Sequence, residues 1–326
     1  MSSGLVDILL ATYNGARHLE QQLDSILAQT RAHWRLLVSD DGSTDETLAI
    51  VERYRAKAPD KIVLVPHPGA GSGLIRNFEN LMAQSLRDGI ADWVAFSDQD
   101  DVWLPEKIER SVAAMRQVES ESGVDVPCLI HTDLVVVDQD LAVIAESFVR
   151  YQRMAPAQAS PVSLLSVNQV TGCTMVVNRA LLALALPLPP QVLMHDWWCA
   201  LLSGSGRRLF IDSPLILYRQ HGSNQVGARN RSLHTRLTRL LQDGAGVWRR
   251  VRALGRGTYL QALALRQRLR RGGWSDGYVE EYLAWRQGHF FVRLARYRHY
   301  YYGPELDRMS RCLLWNETPS GGVDER

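Results

Sequence analysis

Residues 93–105 read Trp-Val-Ala-Phe-Ser-Asp-Gln-Asp-Asp-Val-Trp-Leu-Pro, and Asp98, Asp100 and Asp101 put three carboxylates within four positions. The apolar run before them, residues 93–96, has the makeup of a buried strand, so the charges sit at a strand end. Like charges held that close repel unless a cation compensates, and a hard divalent ion with oxygen ligands is the usual compensator. Side chains alternate along an extended segment, so Asp98 and Asp100 share a side and could share one ion, Mn2+ or Mg2+. The plain alternative is an acidic turn that caps a helix over residues 106–118, with Pro105 in its first turn.

Other polar clusters end apolar runs in the same way. Thr12, Tyr13 and Asn14 follow residues 6–11, and Asp40 and Asp41 follow residues 34–38. Asp40 and Asp41 could accept hydrogen bonds from a base or ribose, or could cap a helix opening at Thr44. Tyr13 could stack on a base or simply fill a turn. Asp196 is followed by Trp197 and Trp198; an apolar surround raises a carboxylate's pKa toward the range useful to a general base. It could equally cap the helix that begins there. His221 follows a strand-like run and lies near Arg219, which suits a ligand or a diphosphate contact; alone it would read as a satisfied structural histidine. Cys173 reads as packing.

The elements that must position these groups alternate. Runs at residues 6–11, 34–38, 62–65 and 93–96 are apolar throughout, and segments of helical period separate them: Leu19, Leu23, Ile26 and Leu27 in the first, Leu74, Phe78, Leu81 and Met82 after the Gly69, Gly71 and Gly73 loop. That order predicts an α/β chain, a mostly parallel sheet with helices on both faces. Ligands of such sheets bind beyond the carboxyl ends of the strands, where the polar clusters fall. In the second half, residues 128–131, 134–137, 209–211 and 215–218 read as separate short strands. After about Ala228 arginine becomes frequent and leucines recur at helical spacing, first Leu233, Leu237, Leu240 and Leu241, then Leu260, Leu263 and Leu265. This predicts a main domain over 1–227 and a helical, Arg-rich appendage over 228–326.

Length and composition set outer bounds. The 326 residues carry a net charge of +2, which argues against a general nucleic-acid binder. Four scattered cysteines fit neither a zinc site nor a disulfide framework and suggest a reducing compartment. No apolar run approaches the roughly 18 residues of a membrane span, and a cytoplasmic location is expected.

Taken together, residues 10–15 (Leu-Ala-Thr-Tyr-Asn-Gly), 39–45 (Ser-Asp-Asp-Gly-Ser-Thr-Asp), 96–103, 168–174 (Asn-Gln-Val-Thr-Gly-Cys-Thr), 194–198 (Met-His-Asp-Trp-Trp) and 218–224 (Tyr-Arg-Gln-His-Gly-Ser-Asn) resemble, in order and spacing, glycosyltransferase family 2 and its bacterial rhamnosyltransferase-like members. The six motifs span roughly residues 5–227. The resemblance implies a GT-A fold and an inverting, metal-dependent transfer from a nucleotide-diphosphate sugar. Carried over by position, Thr12, Tyr13, Asp40 and Asp41 would hold base and ribose, with Arg76 and Asn77 facing the donor. Asp98 and Asp100 would bind metal and donor, Asp196 would be the base, and His221 a further metal ligand. It further implies L-rhamnose from a dTDP donor, and an acceptor that is a bacterial surface polysaccharide or lipid-linked glycan. Trp103, Trp197 and Trp198 could stack on sugar faces or pack the core. The basic tail could contact the inner face of the plasma membrane or form a solvated helical lid that packs on the catalytic domain. Two rival readings are a nucleotidyltransferase that makes nucleotide sugars, and a non-catalytic module that binds them.

Overall fold

The computed structural model describes residues 4–67, 69, 71–220 and 244–300. Among these, nine strands form one sheet: β1 Val6–Thr12, β2 Trp34–Asp40, β3 Ile62–Leu64, β4 Trp93–Ser97, β5 Val102–Trp103, β6 Cys128–Val137, β7 Val143–Ala145, β8 Val176–Asn178 and β9 Arg207–Arg219. Their order is β3-β2-β1-β4-β8-β6-β9-β5, with β7 beside β6. The first four strands pair parallel, as their uniform apolarity predicts. Beyond β4 the pairing is mixed: β8 runs antiparallel to both β4 and β6, whereas β6 and β9 are parallel.

Burial on both faces follows from the two-residue period of a strand. Leu9, Ala11, Leu37, Val94 and Phe96 face one apolar cluster, and Ile8, Leu10, Leu36, Val38 and Ala95 face the other. Helices α1 Ala16–Leu27, α2 Thr47–Lys57 and α4 Lys107–Ser122 cover the second face, and α3 Leu74–Asp88 covers the first. The short helices α5 Phe148–Tyr151 and α6 Pro161–Leu164 lead to α7 Arg179–Ala185 and α8 His195–Leu202. All eight residues of α8 are buried, so it is a core helix and not an amphipathic surface one.

Helix α2 opens at Thr47, three residues later than expected. Asp45 takes the capping role, accepting from Thr47 N at 3.0 Å, because Thr44 N donates instead to Asn14 Oδ1 at 2.8 Å. Asn14 can reach it from a left-handed backbone conformation, φ 47°, which asparagine tolerates better than most residues. Each pair of short strands expected at 128–137 and 209–218 is one long strand. Pro214 sits opposite Asp133 at a register shift, where a bulge absorbs a residue that cannot donate to the ladder.

Helices α9 Gly244–Arg271, α10 Gly277–Gln287, α11 Phe290–Ala295 and α12 Tyr297–Tyr300 complete the described chain. The buried stripe of α9 is Thr258, Tyr259, Ala262, Leu265 and Leu269, whereas the expected Leu260 and Leu263 are only half-buried. Beside this stripe α9 packs closely: a Cβ on Gly257 would lie 2.8 Å from the Leu193 side chain. Tyr259, Ala262, Leu265, Tyr282 and Trp285 share one cluster with Trp198, Phe78 and Phe96. Burying an apolar side chain of this size contributes about 1.5–3 kcal/mol, so the apolar side of α9 is used for folding, and Arg249, Arg252, Arg256 and Arg271 remain on its exposed side. Leu233, Leu237, Leu240, Leu241 and the expected boundary at 227/228 lie outside the described residues. No described helix is long and apolar enough to cross a membrane.

Candidate active site

A cleft of about 1250 Å³ opens at the carboxyl ends of β1, β2 and β4, and Thr12, Tyr13, Asp41, Asn77, Asp98 and Asp196 all line it. The sheet topology explains the convergence. Parallel neighbours end at one rim, so Asp40 lies opposite Thr12 and Ser97 opposite Leu10, 28 and 87 positions away in sequence.

The side of the cleft at the ends of β1 and β2 is built from crossed hydrogen bonds. Thr12 Oγ1 donates to Asp40 Oδ1 at 2.8 Å, and Ser43 N donates to Asp40 Oδ2 at 2.7 Å. Asp40 therefore secures its own loop, and its candidate contact with a ligand is indirect. Asp41 reaches the glycine-rich loop, accepting from Ser72 N at 2.9 Å and Gly73 N at 2.8 Å. Gly73 opens α3 with φ 86°, a conformation that favours glycine. Asn77 Nδ2 donates to Ser39 O at 2.9 Å and to Thr12 O at 3.3 Å, tying the ends of β1 and β2 together. Its Oδ1 has no partner in this buried position. Arg76 is turned away, half-exposed and paired with Glu79.

Tyr13 is 54% exposed at the mouth, and its backbone is held from both sides by one side chain. Gln99 accepts from Tyr13 N at 2.9 Å and donates to Tyr13 O at 3.0 Å. The contact requires glycine at position 15, where a Cβ would meet Gln99 Oε1 at 2.3 Å. Gln99 was not singled out from the sequence; its position between the candidate metal carboxylates was the available signal.

β4 ends at Ser97, so residues 98–101 turn instead of running extended. The turn brings Asp98 together with Asp101 and Cys173, each offering a ligand atom within 4.8 Å of the others, while Asp100 lines the cleft beside Asp98. Asp101 is fully buried; its Oδ1 accepts from Arg219 N at 3.2 Å, and its Oδ2 has no hydrogen-bonding nitrogen or oxygen in reach. Burial first, and then the Asp100 and Asp196 charges, push the Asp98 carboxyl up to about 7. Burial and the Asp100 and Asp98 charges hold Asp101 well above the usual carboxylate range. Cys173 is raised by burial and the same carboxylates, so it is a thiol beside them. Buried, mutually repelling carboxylates whose remaining neighbour is a thiol fit a divalent cation with oxygen ligands.

Arg219 secures the turn. Its Nε donates to Asp100 O at 2.9 Å, Nη1 to Gln139 O at 2.5 Å and Nη2 to Gln21 Oε1 at 2.5 Å. A buried arginine at the end of β9 thus holds the acidic turn through its backbone. Lys107 is buried behind it, its Nζ 3.7 Å from the Trp103 ring centroid. Burial pushes the Lys107 ammonium down to about 7, opposed by Cys173 and Asp101. The sequence candidate His221 lies outside the described residues.

Opposite the turn, α8 delivers Asp196 in its first turn, 9% exposed. Burial pushes the carboxyl up to about 7, against hydrogen bonds from Trp197 N, Gly172 N and the Asn168 side chain that favour the charged form. Trp197 Nε1 donates to Leu164 O at 2.7 Å and Trp198 Nε1 to Ala185 O at 3.1 Å. Trp103 and Trp198 are almost wholly buried, so core packing prevails over sugar stacking for both.

These features can be set beside known proteins. The sequence model of "Glycosyl transferase family 2" matches residues 7–126. A protein of Shigella flexneri named dTDP-rhamnosyl transferase RfbG is 30% identical over 231 residues, 67% of this chain and 74% of that one. The Escherichia coli UDP-Glc:alpha-D-GlcNAc-diphosphoundecaprenol beta-1,3-glucosyltransferase WfgD is 32% identical over 35% of this chain and 42% of its own. Among solved structures, S. aureus TarS 1-349 in complex with UDP-GlcNAc superposes with a TM-score of 0.56 at 14% identity, covering 87% of this chain and 71% of that one. The mannosyltransferase PcManGT from Pyrobaculum calidifontis in complex with GDP-Man and Mn2+ gives 0.51 at 19%, covering 95% and 84%. The fold is GT-A, and the chain belongs to glycosyltransferase family 2 and is a glycosyltransferase.

Proposed function

We propose that the chain transfers a sugar with inversion, in a metal-dependent reaction, from a nucleotide-diphosphate donor to a bacterial surface polysaccharide or lipid-linked glycan. L-rhamnose from dTDP-rhamnose is the proposed donor. The observation that carries this reading is the pairing across one cleft of a buried carboxylate, Asp196, with an acidic turn that fits a metal. The S. flexneri relative supports the donor, since its name specifies dTDP-rhamnosyl transfer. The E. coli relative supports a lipid-linked acceptor, since its name specifies a diphosphoundecaprenol glycan.

Single displacement with inversion needs a base on the acceptor side and a stabilised leaving group on the other. Asp196 would take the proton of the acceptor hydroxyl. Its raised pKa makes it a better base than an ordinary carboxylate while leaving it ionised in an appreciable fraction near neutrality. A divalent ion, when bound, would neutralise charge on the leaving nucleotide diphosphate. Asp98 and Asp101 would hold it, with Asp100 and His221 as further candidates. Thr12, Tyr13, Asp41 and Asn77 would bind base and ribose, Asp40 would support them from behind, and Arg76 would have to leave Glu79 to reach the donor. The nucleotidyltransferase and non-catalytic readings lose ground to the family assignment.

A donor screen by calorimetry tests the reading. With Mn2+ or Mg2+ present, dTDP-L-rhamnose is expected to bind in preference to UDP-glucose, UDP-GlcNAc and GDP-mannose, and chelation is expected to weaken it strongly. Preference for another nucleotide sugar would overturn the donor assignment alone; binding of none would overturn the function. A cytoplasmic protein working at the inner membrane face is the location we propose, with the exposed arginines of α9 drawn to anionic lipid. Cosedimentation with phosphatidylglycerol vesicles, lost on charge reversal of Arg249, Arg252 and Arg256, is the expected outcome, and equal sedimentation of the variant would remove the membrane contact.

A further inference from the structure

We propose that His195 hydrogen-bonds a hydroxyl of the transferred sugar and so sets how tightly the sugar half of the donor is held. The inference rests on the donor reading above. His195 is 3% exposed yet lines the cleft, and neither Nδ1 nor Nε2 has a hydrogen-bond partner. Burial pushes its pKa down to about 3, so the ring is neutral and carries one N–H donor and one acceptor lone pair. Buried polar atoms normally find partners, because leaving them unpaired forfeits the bonds they made with water.

Packing accounts for the faces of the ring but not for its edge. The imidazole stacks on Phe78, centroids 4.0 Å apart and 28° between planes, and lies 5.5 Å from Phe96. A phenylalanine would make both contacts without two unpaired nitrogens. The free edge points to a ligand, and its surroundings say which part. Phe78 follows Asn77 on α3, and Phe96 precedes Asp98 by two residues, so the ring rests on the two elements that carry donor-side candidates. On the other side is Gly172: an atom at its Cβ position would lie 3.2 Å from His195 Nε2 and 3.6 Å from Asp196 Oδ2. A side chain at position 172 would crowd both residues, so glycine lets the backbone pack closely against His195 and Asp196. A sugar passing from a diphosphate near Asp98 to a hydroxyl near Asp196 would lie beside His195, which lines the same cleft.

The test compares calorimetric affinities of dTDP-L-rhamnose and dTDP, both with Mn2+, in the wild type and in His195→Phe, which keeps the stacking. The variant is expected to bind dTDP-L-rhamnose about 10-fold more weakly and dTDP as before. His195→Gln, which keeps an N–H donor, is expected to recover part of the preference. An unchanged ratio of the two affinities in His195→Phe overturns the proposal, as does an equal loss for both ligands, which marks a structural role. Should the Phe variant fail to unfold cooperatively in a thermal melt, His195→Met gives the same ratio. If the wild type prefers another nucleotide sugar, the donor reading fails separately, and the ratio read with that sugar and its nucleotide decides the His195 contact.

Discussion

Asp196→Asn is expected to lower kcat by about 10²–10⁴-fold, the usual contribution of a general base, while leaving calorimetric affinity for the donor and its metal nearly unchanged. The amide has the shape of the carboxylate and keeps one oxygen to accept from Trp197 N, so the first turn of α8 should keep its geometry; it cannot take a proton. The pH dependence supplies an independent check. A base must be ionised to act, and burial has raised this one to about 7. The wild-type kcat should therefore rise about tenfold per pH unit below 7 and level off above it. The residual activity of the Asn variant should lack that limb. Turnover within a few-fold of wild type would remove Asp196 from the role of base, whatever the pH profile.

The second large effect has opposite signs in activity and stability. Asp98→Asn is expected to abolish the Mn2+-dependent part of donor binding, a loss of about 10²-fold or more, since even groups that merely orient metal ligands contribute 10–100-fold to affinity. In the metal-free protein the same change should raise Tm by a few degrees at pH 8. The sign follows from linkage. The folded-state pKa of Asp98 lies above its unfolded value because burial and the Asp100 and Asp196 charges oppose ionisation. At pH 8 the folded chain must ionise it against that opposition, and a neutral amide removes a cost of about 1–3 kcal/mol. Below pH 4 the carboxyl is protonated in both states and the advantage should vanish. A metal-free protein that loses stability on Asp98→Asn would show that the carboxylate is satisfied without an ion, against the metal site. Asp101→Asn separates turn from strand geometry: it should weaken Mn2+ more than Asp100→Asn does if the turned arrangement sets the ligands, and less if the alternation expected from sequence does.

Much of the frame was legible because it follows from local rules. Val6, Ile8 and Leu10 alternate with Leu9 and Ala11 between the two faces of β1, and no polar face interrupts them except Asp7, which is paired with Arg35 at 2.8 Å. That pattern requires helices on both sides, and parallel strands bring their ends to one rim. The acidic turn was visible because an apolar run stops there, and the Asp-Trp-Trp motif because an apolar helix begins there.

What sequence spacing could not give was anything that depends on how a turn bends or on what lies across space. Alternation predicted that Asp98 and Asp100 would share an ion; β4 ends one residue before Asp98, and the turn that follows also brings Asp101 beside Asp98 and Cys173. The clamp of Gln99 on Tyr13 and the anchoring of residue 100 by Arg219 join positions 86 and 119 residues apart. No local pattern encodes such contacts. The leucines of α9 suggested one buried face, whereas the buried stripe keeps Leu265 but runs through Tyr259, Ala262 and Leu269 in place of Leu260 and Leu263. By itself the sequence determined the layered α/β frame and the residue types gathered at its rim, because side-chain period and strand direction are local properties. Tertiary structure alone decided which carboxylates meet, how deeply Asp196 is buried and that His195 keeps an unpaired edge in the cleft, because burial and charge proximity are properties of space and not of spacing.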